Sequence, residues 1–118
     1  MKDKKNKVSF EEISPLFITQ MARGMNVTKK ENGGKYEVFN WTNHTNVEDY
    51  LDAIQRHLFD FRMSDWDEGD DLDEETKVSH LALIACNCMM AYYHVQTYTE
   101  ESRDALKKLF KTEEEVED

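Results

Sequence analysis

The sequence predicts an all-α protein, a bundle of about four helices with an irregular loop region near the N-terminus. Three observations predict this class. Long segments repeat their apolar residues at helical spacing, capping-box patterns precede helical segments, and only one short segment has the composition of a β-strand. The length of 118 residues fits a single domain, because two separate cores would be too small to be stable.

The chain divides into a flexible basic arm at residues 1–8, one helical domain at residues 9–111 and an acidic tail at residues 112–118. We expect the tail to be solvated and frayed. Ser9-Phe10-Glu11-Glu12 has capping-box spacing, and Ser14-Pro15 places a proline in a first helical turn. The first helix is predicted to follow, because one face repeats at helical spacing through Leu16, Phe17, Gln20, Met21 and Gly24.

Residues 25–46 form the irregular region. Asn32-Gly33-Gly34 signals a turn, and residues 35–41 are rich in tyrosine, valine, phenylalanine and tryptophan. That composition suits a short strand or an ordered loop. We predict a loop, because no second strand of comparable quality is present to pair with it.

The second helix is predicted to begin at the capping box Thr45-Asn46-Val47-Glu48 and to run for about 18 residues. Asp52 and Arg56 are four residues apart on its flank and suit an ion pair. The face expected to contact the core carries Leu51, Ile54, Leu58 and Phe61.

The third helix is predicted over residues 76–98 and is apolar nearly all round. This pattern indicates burial at the centre of the bundle or at a subunit interface. Hydrophobic residues make up only 39% of the chain and charged residues 34%, so we expect a homo-oligomer that covers this helix. A last helix is predicted from Thr99, with its inward face formed by Ala105, Leu106, Leu109 and Phe110.

Charge and hydropathy exclude several classes of function. The formal net charge of −10 would repel nucleic acid. No apolar run approaches the roughly 20 residues that a membrane span needs, and the basic N-terminus is not followed by the apolar stretch of a signal peptide. Cys86 and Cys88 lie on different faces of a helix and cannot form an ordinary disulfide. We therefore expect buried thiols in a reducing compartment, the cytoplasm.

Polar residues lie at regular intervals along the apolar third helix. His80, Asn87 and His94 are seven residues apart and project from the same side. Leaving such a group buried without a partner costs about 1–3 kcal/mol. Each one could be a satisfied core residue, or His80 and Asn87 could line a cavity together with His57 of the second helix.

Two further segments have alternative interpretations. The acidic loop at residues 67–75 suits a hard divalent cation such as Mg²⁺ or Mn²⁺, although it lacks the EF-hand spacing and also fits a plain solvated charge run. The segment with Lys35, Tyr36, Asn40 and Trp41 suits stacking on a nucleobase and hydrogen bonding to its edge, and equally suits packing of a loop onto the bundle.

The ordered set of these motifs resembles the N-terminal domain family of dATP/dGTP diphosphohydrolases, which is common in bacteriophages and often a short standalone protein. The resemblance covers about residues 13–95. The motifs that carry it are Gly34-Lys35-Tyr36, Asn40-Trp41, Tyr50-Leu51-Asp52-Ala53, Arg56-His57-Leu58, Ser79-His80-Leu81-Ala82 and Ala85-Cys86-Asn87.

The resemblance implies a helical, metal-dependent nucleotide pyrophosphohydrolase that uses Mg²⁺ or Mn²⁺. It would cleave a purine (d)NTP to the monophosphate and pyrophosphate, in the host cytosol if the chain is phage-encoded. The roles that follow are catalytic for His57, His80 and Arg56, nucleotide-binding for Lys35, Tyr36, Asn40, Trp41 and Asn87, and metal-binding for Asp52, Asp71, Asp73 and Glu75.

One departure from the family pattern favours a different activity. Members typically have His-Leu-Ala-His where this chain has His80-Leu81-Ala82-Leu83. If the second histidine orients a ligand or water, Leu83 cannot replace it. The alternative is a phage anti-defence sponge that binds a cyclic or adenosine-derived immune signal without hydrolysis and needs no cofactor. A third possibility is a structural helical interaction protein.

Overall fold

A computed structural model describes the backbone of residues 8–117, and the side chains of residues 8–97 together with Asp104 and Lys108. Within these residues the fold is all-α, as predicted, with no β-strand. It contains three helices rather than four, because the predicted third and fourth helices are continuous. They are α1 (Pro15–Val27), α2 (Val47–Met63) and α3 (His80–Glu117), with 3₁₀ turns at Lys30–Asn32, Asn40–Asn43 and Trp66–Glu68.

Helix α1 begins where the sequence predicts it. Ser14 is the N-cap and its hydroxyl accepts a hydrogen bond from the Phe17 amide at 3.2 Å, while Pro15 occupies the first turn. Gly24 is the buried residue of this helix. A Cβ atom at this position would lie 3.0 Å from the Cys86 Sγ and 3.1 Å from a Leu83 methyl group. The glycine therefore permits the close contact between α1 and α3.

Residues 35–41 belong to an ordered loop, as predicted, although α1 extends to Val27 and the irregular region begins after it. The Tyr36 amide donates to the Thr28 carbonyl at 3.0 Å, and the Lys30 amide donates to the Tyr36 carbonyl at 2.7 Å. The chain reverses at Gly33, whose φ of 87° is in the left-handed region that favours glycine. These contacts form one isolated bridge and fix the start of the segment that leads to Trp41.

Helix α2 is capped by Asn46 rather than by Thr45, since the Asn46 side chain accepts from the Glu48 amide at 3.1 Å. The predicted core face is partly wrong. Leu51 is 40% and Leu58 is 38% exposed, whereas the neighbouring Tyr50 is buried. Helix α3 packs on the stripe beside the predicted one, where Tyr50 stacks on His94 and His57 contacts His80.

Helix α3 begins at His80, four residues later than predicted, and spans 38 residues, which corresponds to about 57 Å. Val78, Ala82 and Leu83 form the small core together with Val27 of α1. The helix is not buried all round, because Met89 and several other side chains are exposed in the single chain. The predicted inward residues Ala105, Leu106, Leu109 and Phe110 lie outside the residues whose side chains are described, as do residues 1–7 of the arm. Among the described residues, no helix combines the length and the apolar content needed to cross a membrane.

Candidate functional site

A cleft of about 700 Å³ lies where all three helices meet the loop that follows α1. Helices α2 and α3 are antiparallel along it, since Tyr50 contacts His94 and His57 contacts His80. The predicted site residues that line the cleft are Tyr36, Asn40, Trp41, Arg56, His57, Asp73, Glu75 and Asn87.

One end of the cleft is aromatic and is organised around the Trp41 backbone. The Trp41 carbonyl accepts from His94 Nε2 at 2.9 Å and lies 2.9 Å from the Tyr50 hydroxyl, which is also 2.6 Å from the His44 carbonyl. The Tyr50 and His94 rings are stacked with centroids 5.6 Å apart. The Trp41 indole meets the Tyr93 ring edge-on at 5.1 Å. These contacts tie the loop to α2 and α3 and fix the position of the half-buried indole.

A hydrogen-bonded pair of a histidine and an aspartate borders this aromatic end. His44 Nε2 lies 2.7 Å from the Asp49 carboxylate, and both residues line the cleft. Burial, and secondarily the negative charge of Asp49, raises the pKa of Tyr50. The phenol therefore stays protonated at neutral pH and remains a hydrogen-bond donor to the loop.

The opposite end of the cleft is polar and contains two histidines in contact. His57 Nδ1 and His80 Nδ1 are 3.0 Å apart, although the residues are on different helices. His80 is buried and His57 is half-buried. Burial lowers the pKa of His57 and outweighs the opposing effect of the Asp73 charge, and the adjacent His80 lowers it further. The imidazole of His57 is therefore largely unprotonated at neutral pH.

Asp73 completes this polar end. Its Oδ2 accepts from the Thr76 amide at 2.8 Å and from the Thr76 hydroxyl at 2.9 Å. Burial by itself would raise the pKa of Asp73, but these two hydrogen bonds and the nearby imidazoles of His57 and His80 outweigh it, so the pKa is lowered. The carboxylate is thus ionised and held in one orientation next to both histidines.

The two ends of the cleft lie at a fixed separation. Tyr50 and His57 are seven residues apart on α2, which is about 10 Å along the helix axis. Asn87 lies on α3 between the two buried histidines of that helix, and its side-chain amide donates to the Leu83 carbonyl at 2.9 Å. The donation leaves its amide oxygen as an acceptor at the cleft.

Four of the predicted site residues are not on the cleft surface. His80 lies behind His57, and Lys35 is exposed on the loop. Asp52 is on the outer face of α2, where it lines a separate shallow depression with Arg56. The predicted ion pair between Asp52 and Arg56 is not formed, and both residues are exposed. The carboxylate of Asp71 accepts a hydrogen bond from the Ser79 hydroxyl.

Sequence reasoning did not assign roles to Tyr50, His94 or Thr76. His94 lies on the polar stripe of α3, fourteen residues after His80, and this spacing is the feature of the sequence that indicates a role for it. The Asp-x-x-Thr spacing of Asp73 and Thr76 is typical of a side chain that caps a turn. No local pattern marks Tyr50, because its partners lie on the loop before α2 and on α3.

A sequence profile described as dATP/dGTP diphosphohydrolase, N-terminal, matches residues 1–104. The chain belongs to this family. The resemblance drawn from the motifs is thereby confirmed, and the match extends beyond the predicted residues 13–95 at both ends. No curated protein and no solved structure matches the chain. Membership in the dATP/dGTP diphosphohydrolase family is consistent with a nucleotide hydrolase and with a nucleotide as its substrate.

Proposed function

We propose that this member of the dATP/dGTP diphosphohydrolase family hydrolyses a purine deoxynucleoside triphosphate to the monophosphate and pyrophosphate, with the nucleotide bound in the cleft. The observation that carries the proposal is the pairing of two ends in one cleft. An aromatic and amide end, with Trp41 and Asn40, lies about two helical turns from a cluster of imidazole and carboxylate groups. A nucleotide has the same division between its base and its phosphates.

The aromatic end is suited to the base. Stacking of a base on an aromatic face is worth about 1–3 kcal/mol, and the Trp41 backbone is held by two hydrogen bonds, so little ordering is needed on binding. Asn40 precedes Trp41 in the same 3₁₀ turn and offers both a donor and an acceptor to the base edge. Asn87 adds a second acceptor from the opposite wall.

The polar end is suited to the phosphates only if their charge is neutralised. Lys29 and Arg56 line the cleft, but so do the carboxylates of Asp49, Asp73 and Glu75. A divalent metal ion held by Asp73 and Glu75, with His57 beside them, would supply the missing positive charge and lower the pKa of water. The ionised Asp73 and the unprotonated His57 are in the states that metal binding requires.

The residues of the chain then have separate roles in hydrolysis. Water attacks a phosphorus atom, and its proton passes to the unprotonated imidazole of His57 at the polar end. Arg56 balances the negative charge that develops as pyrophosphate leaves. The family name supports hydrolysis of a nucleotide. The purine base and the proton acceptor are proposed from the residues of the cleft.

The direct test is to incubate the protein with a panel of purine and pyrimidine triphosphates and to measure monophosphate and pyrophosphate. We expect release of both products from a purine substrate, loss of the reaction with chelator, and a KM raised about 5–150-fold by Trp41→Ala, as lost stacking implies. Trp66→Ala is the matched control, because Trp66 stacks on Phe61 away from the cleft. No product from any purine triphosphate would overturn the proposal.

Leu83 favours one alternative function, sequestration of a nucleotide without turnover. Leu83 is buried in the small core and lines the cleft at the position where family members typically carry a second histidine. A sponge of this kind would retain a nucleotide that is recovered unchanged after the protein is heated. Leu83→His distinguishes the two functions, since hydrolysis gained by this single change would show that the wild-type cleft binds but does not cleave.

We also propose that the chain forms a homo-oligomer, because apolar side chains remain uncovered on α2. Leu51, Leu58 and Phe59 are all exposed, with Phe59 at 64%. An uncovered apolar patch of this kind is typical of an interface. Sedimentation of the wild type should give a mass above 14.0 kDa, and Phe59→Glu should reduce it to that of one chain. A monomeric wild type at micromolar concentration would contradict this.

A further inference from the structure

Three potential metal ligands from three separate segments converge at the polar end of the cleft. His57 lies in the middle of α2, His80 is the first residue of α3, and Asp73 belongs to the turn between them. One ligand atom from each residue lies within 4.8 Å of the others. The chain therefore brings together two imidazole nitrogens and one carboxylate oxygen that are distant in sequence.

The spacing of the nitrogens fits a shared metal ion. A metal–nitrogen bond is about 2.0–2.1 Å long, so two ligands at angles between 90° and the tetrahedral angle are roughly 2.9–3.4 Å apart. His57 Nδ1 and His80 Nδ1 are 3.0 Å apart. Without an ion, one of the two must donate its proton to the other, so the same distance also fits a simple hydrogen bond. The carboxylate of Asp73 favours a shared ion, because it adds a third potential ligand within 4.8 Å of both histidines.

Two hydrogen bonds hold the Asp73 carboxylate in the way that is typical of a residue that coordinates a metal ion. Both hydrogen bonds from Thr76 go to Oδ2, which leaves the other carboxylate oxygen available. Hydrogen bonds of this type orient metal-ligating carboxylates in proteins. His57 and Asp73 also line the cleft, so an ion bound here would keep open positions for water or phosphate, as catalytic metal sites do.

We infer that His57, Asp73 and His80 bind one transition-metal ion of the class of Zn²⁺ or Co²⁺. Imidazole nitrogen is a preferred ligand of these ions, whereas Mg²⁺ prefers oxygen. The inference rests on the proposed function only for the use of the ion, and it changes that function in two respects. His80 takes the place of Glu75 as a ligand of the ion. As a ligand, His57 does not accept the proton of the attacking water, and Glu75 does.

The test is a metal titration without nucleotide, so its outcome is independent of the hydrolase assay. Chelator-treated protein is titrated with Co²⁺ while its visible absorption is recorded. We expect one Co²⁺ per chain, displaced by an equal amount of Zn²⁺ but not by a large excess of Mg²⁺. Absence of stoichiometric binding, or displacement by Mg²⁺ as readily as by Zn²⁺, would overturn the inference.

Variants identify the ligands. Asp73→Asn keeps an oxygen that can accept from Thr76 and removes the charge, so the fold is retained while Co²⁺ affinity falls at least ~10-fold. His57→Ala, at a half-buried position, should lose the absorption. His44→Ala is the matched control, because His44 is exposed and pairs with Asp49. The ion would lie elsewhere if Asp73→Asn and His57→Ala both kept the Co²⁺ affinity of the wild type while the metal-free variants kept its thermal stability.

Discussion

Removing the hydroxyl of Tyr50 tests whether this residue holds the loop that carries Trp41. Tyr50→Phe retains the ring and therefore the stacking on His94. The Trp41 carbonyl keeps its hydrogen bond from His94 Nε2 at 2.9 Å, but the His44 carbonyl loses the hydroxyl at 2.6 Å. One lost hydrogen bond corresponds to about 1–1.5 kcal/mol of unfolding free energy. For a domain of this size the melting temperature should fall by about 4–6 °C.

The assay is urea or thermal unfolding followed by the fluorescence of Trp41 in a Trp66→Phe background. Tyr92→Phe is the matched control, because the Tyr92 side chain is 67% exposed on the same helix that carries His94. We expect the control to change the free energy of unfolding by less than about 0.5 kcal/mol. If Tyr50→Phe were no more destabilising than Tyr92→Phe, the hydroxyl would not hold the loop.

Three further predictions concern the contact between α1 and α3. At pH 8 only Cys88 should react rapidly with a thiol reagent, because Cys86 is buried and its Sγ donates to the Met21 carbonyl. The variant Cys88→Ser should therefore lose the fast reaction. Burial raises the pKa of the Cys86 thiol from 9.0 to about 11, so the folded state disfavours the thiolate. The unfolding free energy should therefore decrease between about pH 9 and 11, and less so in Cys86→Ala. Gly24→Ala should destabilise the protein, because crowding at 3.0 Å costs about 1–3 kcal/mol and the gain in helix propensity is only about 1 kcal/mol. Equilibrium unfolding measures both effects, and a more stable Gly24→Ala would contradict the close packing.

The features of the fold that were predicted correctly depend on local signals. Ser14 and Pro15 mark the start of α1, and a cap one residue from the predicted one marks the start of α2. The predicted break at Thr99 was wrong because threonine and glutamate can cap a helix but do not interrupt one, and neither glycine nor proline is present there. A capping pattern inside a long helix is therefore a weak boundary signal.

The features that were not predicted depend on contacts between distant segments. Helix α2 has two adjacent stripes that could contact the core, one with Leu51 and Leu58 and one with Tyr50 and His57. Apolar content favours the first stripe, but hydrogen bonds to the loop and to α3 select the second. The contact between His57 and His80 joins residues 23 positions apart, and no local pattern gives its distance.

The continuity of α3 determines how the cleft can move. His80 contacts the polar end and His94 contacts the aromatic end, and both belong to one uninterrupted helix. Their partners on α2, Tyr50 and His57, are seven residues apart, about 10 Å along that axis. The two ends therefore cannot approach each other by rotation of one half of the protein against the other. The segments that can adjust to a ligand are the loop before α2 and the turn before α3. Helix α3 therefore determines how long a ligand must be to contact both ends at once. In the proposed binding mode, a nucleotide with fewer phosphates would contact only one end of the cleft.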